Sequence, residues 1–518
     1  MLCLAGYELD RDRAELRGPD GEAIKLRSKS FDMLWLFASR AGRVLGKQEL
    51  IEAIWPNVRI SENGLFQCIR EIRAALGDEN HALLRLVPGR GYVLDAEVTN
   101  RPGPEAAGRE PGANLAAPPT IAVRPLTVPV DAALWAGMAA HVGERLADGL
   151  AKIERIRVIA PPPGAPVPSL DVGVAADFVV SGELHRSGGK WEARARMTAT
   201  ATGEVRWSGS ATVPSEEGDP GLQQSRLAAG LGHPLALRIN ALQNSGAWMQ
   251  GGGEDELPAS HARVVIEQAT AIINQTTRER FSVAQQMLEK ALADRPDDVD
   301  LMAALAGHML RGTQTAWYDH ADTDTVENRA RALLERAMQA KPYYIPVLEA
   351  YCRLLTMAGQ LPETLIACGR MLSFDPWNGI ALFHLGIAQT RQGRFEEALA
   401  SFKRADTFDT PSFARWTWLL GAGMIYMLTE RYEEALPWLE RSLAVTPGTG
   451  RTHFALAVAH HQLGRSEEAK AAFAEGLGLR PGSTTHNVPL PKKNGSPVFL
   501  AAFDRYVQVL VQLGLPEN

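Results

Sequence analysis

The chain has little cysteine. Four residues in 518, Cys3, Cys68, Cys352 and Cys368, are scattered, and no CxxC pair or other metal-ligand spacing joins them. That excludes a disulfide framework and a zinc site, and makes a reducing compartment the expectation. Long apolar runs are missing too. The longest nearly unbroken one, Leu419 to Leu428, falls far short of the about 18 residues a membrane helix needs. The opening "MLCLAGYELDRDR" has neither a basic n-region nor an apolar core. A cytoplasmic chain with no membrane partner is predicted. Bulk positive charge is absent, with 54 Lys and Arg against 60 Asp and Glu. Any nucleic-acid partner must therefore be met by a local arrangement. The sequence also lacks HExxH, GxxxxGK[ST] and a nucleophile elbow, so no catalytic residue, cofactor or metal is expected. His460 and His461 are adjacent, so a helix turns them in different directions, as packing or surface residues.

What is present is modular. The length suggests roughly three or four domains. Residues 1–98 form one unit, and "TNRPGPEAAGREPGANLAAPP" (99–119) has the Pro, Gly, Ala and Glu content of a flexible linker. Residues 120–213 carry short strand-like runs around an amphipathic helical stretch, a small α/β domain. In "KWEARARMTA", Trp191, Ala193, Ala195, Met197 and Ala199 alternate with polar residues, which predicts one buried face. Residues 214–260 read as a connecting helix and linker.

From residue 261 to 518 the signal is repetition. Ala284, Ala330, Thr364, Ala435 and Ala469 each precede a proline by twelve positions, and Ala398 meets Pro411 one residue late. Leu288, Leu334, Phe402, Leu439 and Phe473 follow their small residue by four and share its helix face. The anchors are 46, 34, 34, 37 and 34 residues apart. "GRFEEALASF", "ERYEEALPWL" and "GRSEEAKAAF" start second helices. A period near 34 with paired helices resembles the tetratricopeptide repeat, an all-α solenoid whose groove takes a protein or peptide. The 46-residue step implies an insertion near Arg311 to Thr325, read as a longer inter-helix turn, with Trp317, Tyr318, Asp319 and His320 inside it. Cys352 and Cys368 fall where the repeat packs small residues. The closing "SPVFLAAFDRYVQVLVQLGL" is expected to cap the solenoid's last face.

In the N-terminal unit, Phe31, Leu34, Trp35 and Ala38 make one apolar helix face and Leu50, Ile51, Ile54 and Trp55 another. Pro56 interrupts, and Ser61 can cap a third helix, "SENGLFQCIREIRAAL". Leu65, Ile69, Ile72 and Leu76 share one side of its wheel. Asn63, Gln67, Arg70 and Ala74 take the other, flanked by Arg73 and Phe66. Asn and Gln can bond adenine edges, Arg can fork onto guanine or phosphate, and an apolar atom can meet a thymine methyl. A solvated helix face has the same look, so the following segment decides. "HALLRLVPGRGYVL" gives two apolar runs around Pro88-Gly89-Arg90-Gly91, a hairpin with a cationic tip rather than a phosphate loop. A helix pair, an exposed third helix and such a hairpin have the layout of a winged helix-turn-helix.

With "S-FD-L-LFA---GRVL-K-EL---W", "ISEN-----I-EIR-ALGD" and "R-VPGRGY" in place, residues 1–98 resemble the OmpR/PhoB-type winged-helix DNA-binding domain. The resemblance implies an α+β unit whose third helix (61–76) enters the major groove of double-stranded DNA with the wing (84–94) alongside. Asn63, Gln67, Arg70, Arg73 and Arg90 are the matching contact positions. Cys68 and Glu71 depart from the family's polar or basic contacts. The unit holds 14 Lys and Arg against 15 Asp and Glu, so modest binding, strengthened by several copies acting together, is expected. No receiver domain precedes it in this sequence, which predicts control other than aspartyl phosphorelay and a similarity to the CadC-like and HilA-like regulators. "IAVRPL", "LADGLAKIERIRVIA" and "ADFVVSGELHRSGGKWEARARMTATATGEVRWSG" are similar to the TolB N-terminal-like domain. The implied function is a transcriptional regulator, with DNA, RNA polymerase, a protein or peptide at the repeats and a second copy of the chain as partners. The alternative is a scaffold whose winged helix contacts protein.

Overall fold

The computed structural model describes residues 2–10, 15–20, 22–24, 26–47, 50, 62–78, 82–87, 91–96, 98–100, 118–129, 133–160, 176–216, 218–245, 261–273, 278–315, 318, 322–485, 488 and 494–517. The chain divides into two compact units, Met1–Ala116 and Ala117–Asn518.

In the first unit, β1 (Leu2–Leu4), β2 (Tyr7–Asp10), β3 (Glu15–Arg17) and β4 (Ala23–Ile24) form an antiparallel meander. A hairpin of β5 (Leu84–Val87) and β6 (Gly91–Leu94) stands as a separate two-stranded sheet. The other edge of β1 is paired by β7 (Val98–Asn100). Thr99 and Asn100, read from the sequence as linker, therefore belong to the folded unit: they supply backbone partners to an otherwise open edge. Helix α1 (Ser28–Ser39) packs on α2 (Glu62–Ala75). Phe31, Leu34 and Ala38 meet Leu65, Ile69, Ile72 and Leu76 in one core, as the two apolar faces predict. Of the second helical stretch, Leu50 is buried in that core, and residues 51–61, with the expected cap Ser61, lie outside the described residues.

The second unit opens on a five-stranded sheet ordered β12-β11-β10-β8-β9. Its strands are β8 (Thr120–Val123), β9 (Arg157–Ile159), β10 (Phe178–Ser187), β11 (Lys190–Ala199) and β12 (Val205–Pro214). β8 and β9 are parallel, which requires a crossover, and α3 (Ala136–Leu150) supplies it. Ala193, Ala195, Met197 and Ala199 point into the core, as the alternation in β11 predicts. Helix α4 (Pro220–Ser245) is more than the expected connector: it packs on β11, β12 and α3 and buries Leu227, Leu231, Leu235 and Ile239. It is a layer of the α/β unit.

Paired helices follow: α5 (His261–Ile273) with α6 (Arg278–Asp294), α7 (Val299–Thr315) with α8 (Thr323–Ala340), and α9 (Ile345–Ala358) with α10 (Leu361–Phe374). The array continues through α11 (Gly379–Arg391) and α12 (Phe395–Phe408), α13 (Arg415–Leu428) and α14 (Tyr432–Val445), then α15 (Arg451–Gln462) and α16 (Ser466–Leu479). All six sequence anchors, Ala284, Ala330, Thr364, Ala398, Ala435 and Ala469, sit in second helices at 0% exposure. A small side chain there lets the paired helices approach closely. The insertion lengthens α7 and α8 around their turn. Tyr318 tucks back, its ring edge-on to Phe281 with the centroids 5.6 Å apart and its hydroxyl donating to Gln285; Trp317, Asp319 and His320 lie outside the described residues. Cys352 and Cys368 are fully buried with their sulfurs 3.7 Å apart.

The closing helix α17 (Pro497–Gln512) does not cap the end of the array as expected. It lies against the first helices α11, α13 and α15. Phe499, Phe503, Tyr506 and Leu510 form its buried stripe, so it covers a row of three repeats.

The α/β layer is bolted to this array. Trp377, from the turn after α10, inserts into the sheet-side core. Gly149 and Gly232 make room for it: a Cβ there would lie 1.9 and 2.5 Å from its ring. Beside it His233 Nδ1 meets the fully buried Asp375 carboxylate at 2.5 Å. Asn240 both donates to the Tyr343 carbonyl and accepts from the Ile345 amide.

Candidate nucleic-acid interface

Helix α2 presents two chemically distinct sides. Leu65, Cys68, Ile69 and Ile72 are buried, whereas Phe66, Gln67, Arg70 and Ala74 are exposed and Arg73 is half-buried. The structure thus brings Gln67, Arg70 and Arg73 onto one surface. The side chain of Asn63 and all of Arg90 lie outside the described residues.

Arg73 is engaged within the unit. Its Nε and Nη2 donate to the Leu84 carbonyl at 3.1 and 2.7 Å, a forked grip on the first strand of the hairpin. Asp78, buried at the end of the same segment, accepts the Leu83 amide at 2.9 Å and the Leu84 amide at 2.8 Å. The last turn of α2 and the turn just after it therefore fix both polar groups of Leu84. The "ALGD" motif carries that signal in the sequence, although helix periodicity alone points Arg73 outward.

The second strand of the hairpin is fixed from the other side. Tyr92 and Leu45 exchange backbone hydrogen bonds at 2.9 and 2.8 Å. Gly91 has φ +132°, and a Cβ on it would lie 2.0 Å from the Leu45 carbonyl oxygen. The glycine is required by this close approach, beyond any demand of the hairpin tip.

The two departures from the family pattern have a structural reason. Cys68 faces the core, and Glu71 turns toward α1, accepting the Arg27 amide and the Ser30 hydroxyl, both at 2.9 Å. A carboxylate at the start of α1 satisfies orphan amides and opposes the positive end of the helix dipole. Glu71→Ala is expected to cost about 1–2 kcal/mol of stability in urea unfolding.

Sequence reasoning underrated Phe66. Its ring is 40% exposed, with Lys47 Nζ 5.1 Å from the ring centroid. Phe66, Arg70, Arg73, Ala74 and Tyr92 line a shallow depression of about 460 Å³ between α2 and the hairpin. The surface so built offers an amide, two guanidiniums and an aromatic ring on a rigid helix, with a hairpin held beside it.

Known proteins resemble both ends of the chain. Residues 21–94 match the family described as transcriptional regulatory protein, C terminal, and residues 373–413 and 414–481 match tetratricopeptide repeat families. The transcriptional activator protein IrlR of Burkholderia pseudomallei is 30% identical over 104 residues, covering 20% of this chain and 45% of that protein. The transcriptional activator CadC of Escherichia coli is 32% identical over 82 residues, covering 15% of this chain and 16% of that protein. The solved DNA-binding domain of Escherichia coli CadC is 25% identical, covers 19% of this chain and 95% of that domain, and gives a TM-score of 0.18. The chain spans less than half the length of these curated relatives. Its N-terminal unit is similar to the DNA-binding part of transcriptional activators, and its residues 373–481 to tetratricopeptide repeats.

Proposed function

We propose that the chain is a sequence-specific DNA-binding transcriptional regulator, with α2 read into the major groove and the β5–β6 hairpin set alongside. The observation that carries this is the exposed row Phe66, Gln67, Arg70 and Ala74 on a helix whose opposite side buries Leu65, Cys68, Ile69 and Ile72 in the core. Gln67 and Arg70 would contact base edges, Asn63 the groove near the start of α2, and Arg90 phosphate or the adjacent minor groove. Arg73 keeps its place in the interface as the residue that fixes the hairpin against the helix. The even charge of the unit supports binding as a homo-oligomer on repeated sites, since phosphate contacts supply much of the affinity.

The α/β layer is read as a TolB N-terminal-like module without catalytic residues. The repeats are read as the signal-receiving part, with a protein or peptide and RNA polymerase as partners in a cytoplasmic setting. Among the described residues no helix is long and apolar enough to cross a membrane.

Selection of genomic fragments on the full chain at low salt tests the reading. A recurring sequence motif, in one or more spaced copies, is expected. Retention of no fragment under those conditions overturns it.

A further inference from the structure

The first helices of the repeats carry a cluster of cations that nothing above uses. Arg353 of α9 donates from Nη1 to Gln314 Oε1 of α7 at 2.6 Å. Arg451, the first residue of α15, donates from Nη2 to the main-chain carbonyl of the same Gln314 at 2.5 Å. One turn beyond Arg353, Thr356 offers its carbonyl to Arg391 Nη1 of α11, and its hydroxyl lies 3.1 Å from His384 Nδ1. Three guanidiniums and an imidazole from three helices thus gather around two residues.

These groups are short of partners. Arg391 is 3% exposed and His384 fully buried. Arg391 Nε, Arg451 Nε and His384 Nε2 make no hydrogen bond among the described residues. Burial pushes the guanidiniums of Arg353, Arg391 and Arg451 down to about 10, with Arg480 adding to the effect at Arg451. Burial first, and then the fields of Arg353 and Arg391, hold His384 well below its ordinary range. The arginines stay charged at neutral pH all the same.

Among the described residues little negative charge answers them. Glu349, one turn before Arg353, bonds Asn378 and has its own pKa raised by burial. Tyr506 of α17 stands near Arg451, its ionisation opposed by burial. Three like charges set this close, Arg391 buried and Arg353 and Arg451 half-buried, with one carboxylate beside them among the described residues, favour a further anion that completes the set.

We propose that Arg353, Arg391 and Arg451 form a binding site for a small, multiply charged anion bearing phosphate or carboxylate groups. Guanidinium forks match either group. A small ligand is favoured over an acidic peptide because Arg451 already bridges α15 to α7, and α17 covers the neighbouring row of α11, α13 and α15. The proposal concerns the repeat unit alone and stands whether or not the chain binds DNA.

The test titrates the full chain, without DNA, with inorganic phosphate, pyrophosphate, citrate and, as an acidic-peptide arm, polyglutamate, at constant ionic strength in chloride buffer, by calorimetry and thermal unfolding. At least one anion is expected to give saturable one-to-one heat and, at roughly 100 times its Kd, to raise Tm by several degrees. Phosphate-type and carboxylate-type ligands are told apart by which arm saturates. Arg391→Gln and Arg451→Gln, with helical content checked by circular dichroism, are each expected to weaken binding about tenfold or more. The proposal is overturned by heats that track ionic strength without saturating, by both variants binding as the parent does, or by saturation with polyglutamate alone. If either variant does not fold, the parent titration decides by the same criteria.

Discussion

Gly91→Ala is expected to abolish folding of the N-terminal unit, and DNA binding with it. An alanine methyl would sit 2.0 Å from the Leu45 carbonyl oxygen, inside any van der Waals contact, and the residue's φ of +132° is one that L side chains rarely adopt. Backbone lies on the other side of the clash, so no rotamer change relieves it. The strand must shift instead, and the paired backbone bonds between Tyr92 and Leu45 go with it. A loss of about 3 kcal/mol or more follows from the strain together with the broken bonds, a large share of a small unit's stability. Urea unfolding of residues 1–100, followed by circular dichroism, measures it. A Gly91→Ala unit within about 0.5 kcal/mol of the parent would mean that β6 does not run against Leu45.

Asp375→Ala is expected to loosen the α/β layer from the repeats, at a cost of about 3–5 kcal/mol. The carboxylate, fully buried, accepts from His233, Asn378 Nδ2 and the Trp377 amide, and it holds the turn that drives Trp377 into the opposite core. Its loss leaves those donors buried without an acceptor. Burial opposes protonation of His233, but the Asp375 and Glu349 carboxylates outweigh it and raise its pKa above the ordinary value. A raised histidine pKa stabilises the fold fully below about pH 6.5, and that contribution is lost as pH rises through the folded-state value. The penalty of Asp375→Ala should accordingly be largest at mildly acidic pH and shrink toward alkaline pH. Thermal unfolding of parent and variant across that range reads it; a penalty that grows with pH contradicts the assigned pair.

The contrast between these sites shows what a sequence can carry. The repeat anchors were legible because each lies in a local pattern, a small residue twelve or thirteen positions before a proline, and in five of the six a larger residue follows four later. The two sides of α2 were legible for the same reason: helical periodicity separates Leu65, Ile69 and Ile72 from Gln67 and Arg70. Glu71 and Arg73 were harder, because their partners Ser30 and Leu84 are fixed by tertiary packing, 41 and 11 residues away. The bond from His233 to Asp375 joins positions 142 apart and leaves no periodic trace. Helix α17 has an ordinary amphipathic stripe, and the stripe says only that something covers it. That the cover is a row of first helices, rather than the end of the array, depends on where the chain turns back.

On the proposed function, the exposed side of α2 reads DNA sequence. The most direct test of this claim is the affinity of parent and Arg70→Ala chains for a selected fragment and for unrelated DNA, measured by fluorescence anisotropy at one fixed salt concentration. On the proposed function, loss of Arg70 is expected to weaken binding to the selected fragment by about ten- to hundred-fold and to leave binding to unrelated DNA much less affected. Equal affinity of parent and Arg70→Ala for the selected fragment, with both proteins folded, would contradict the claim.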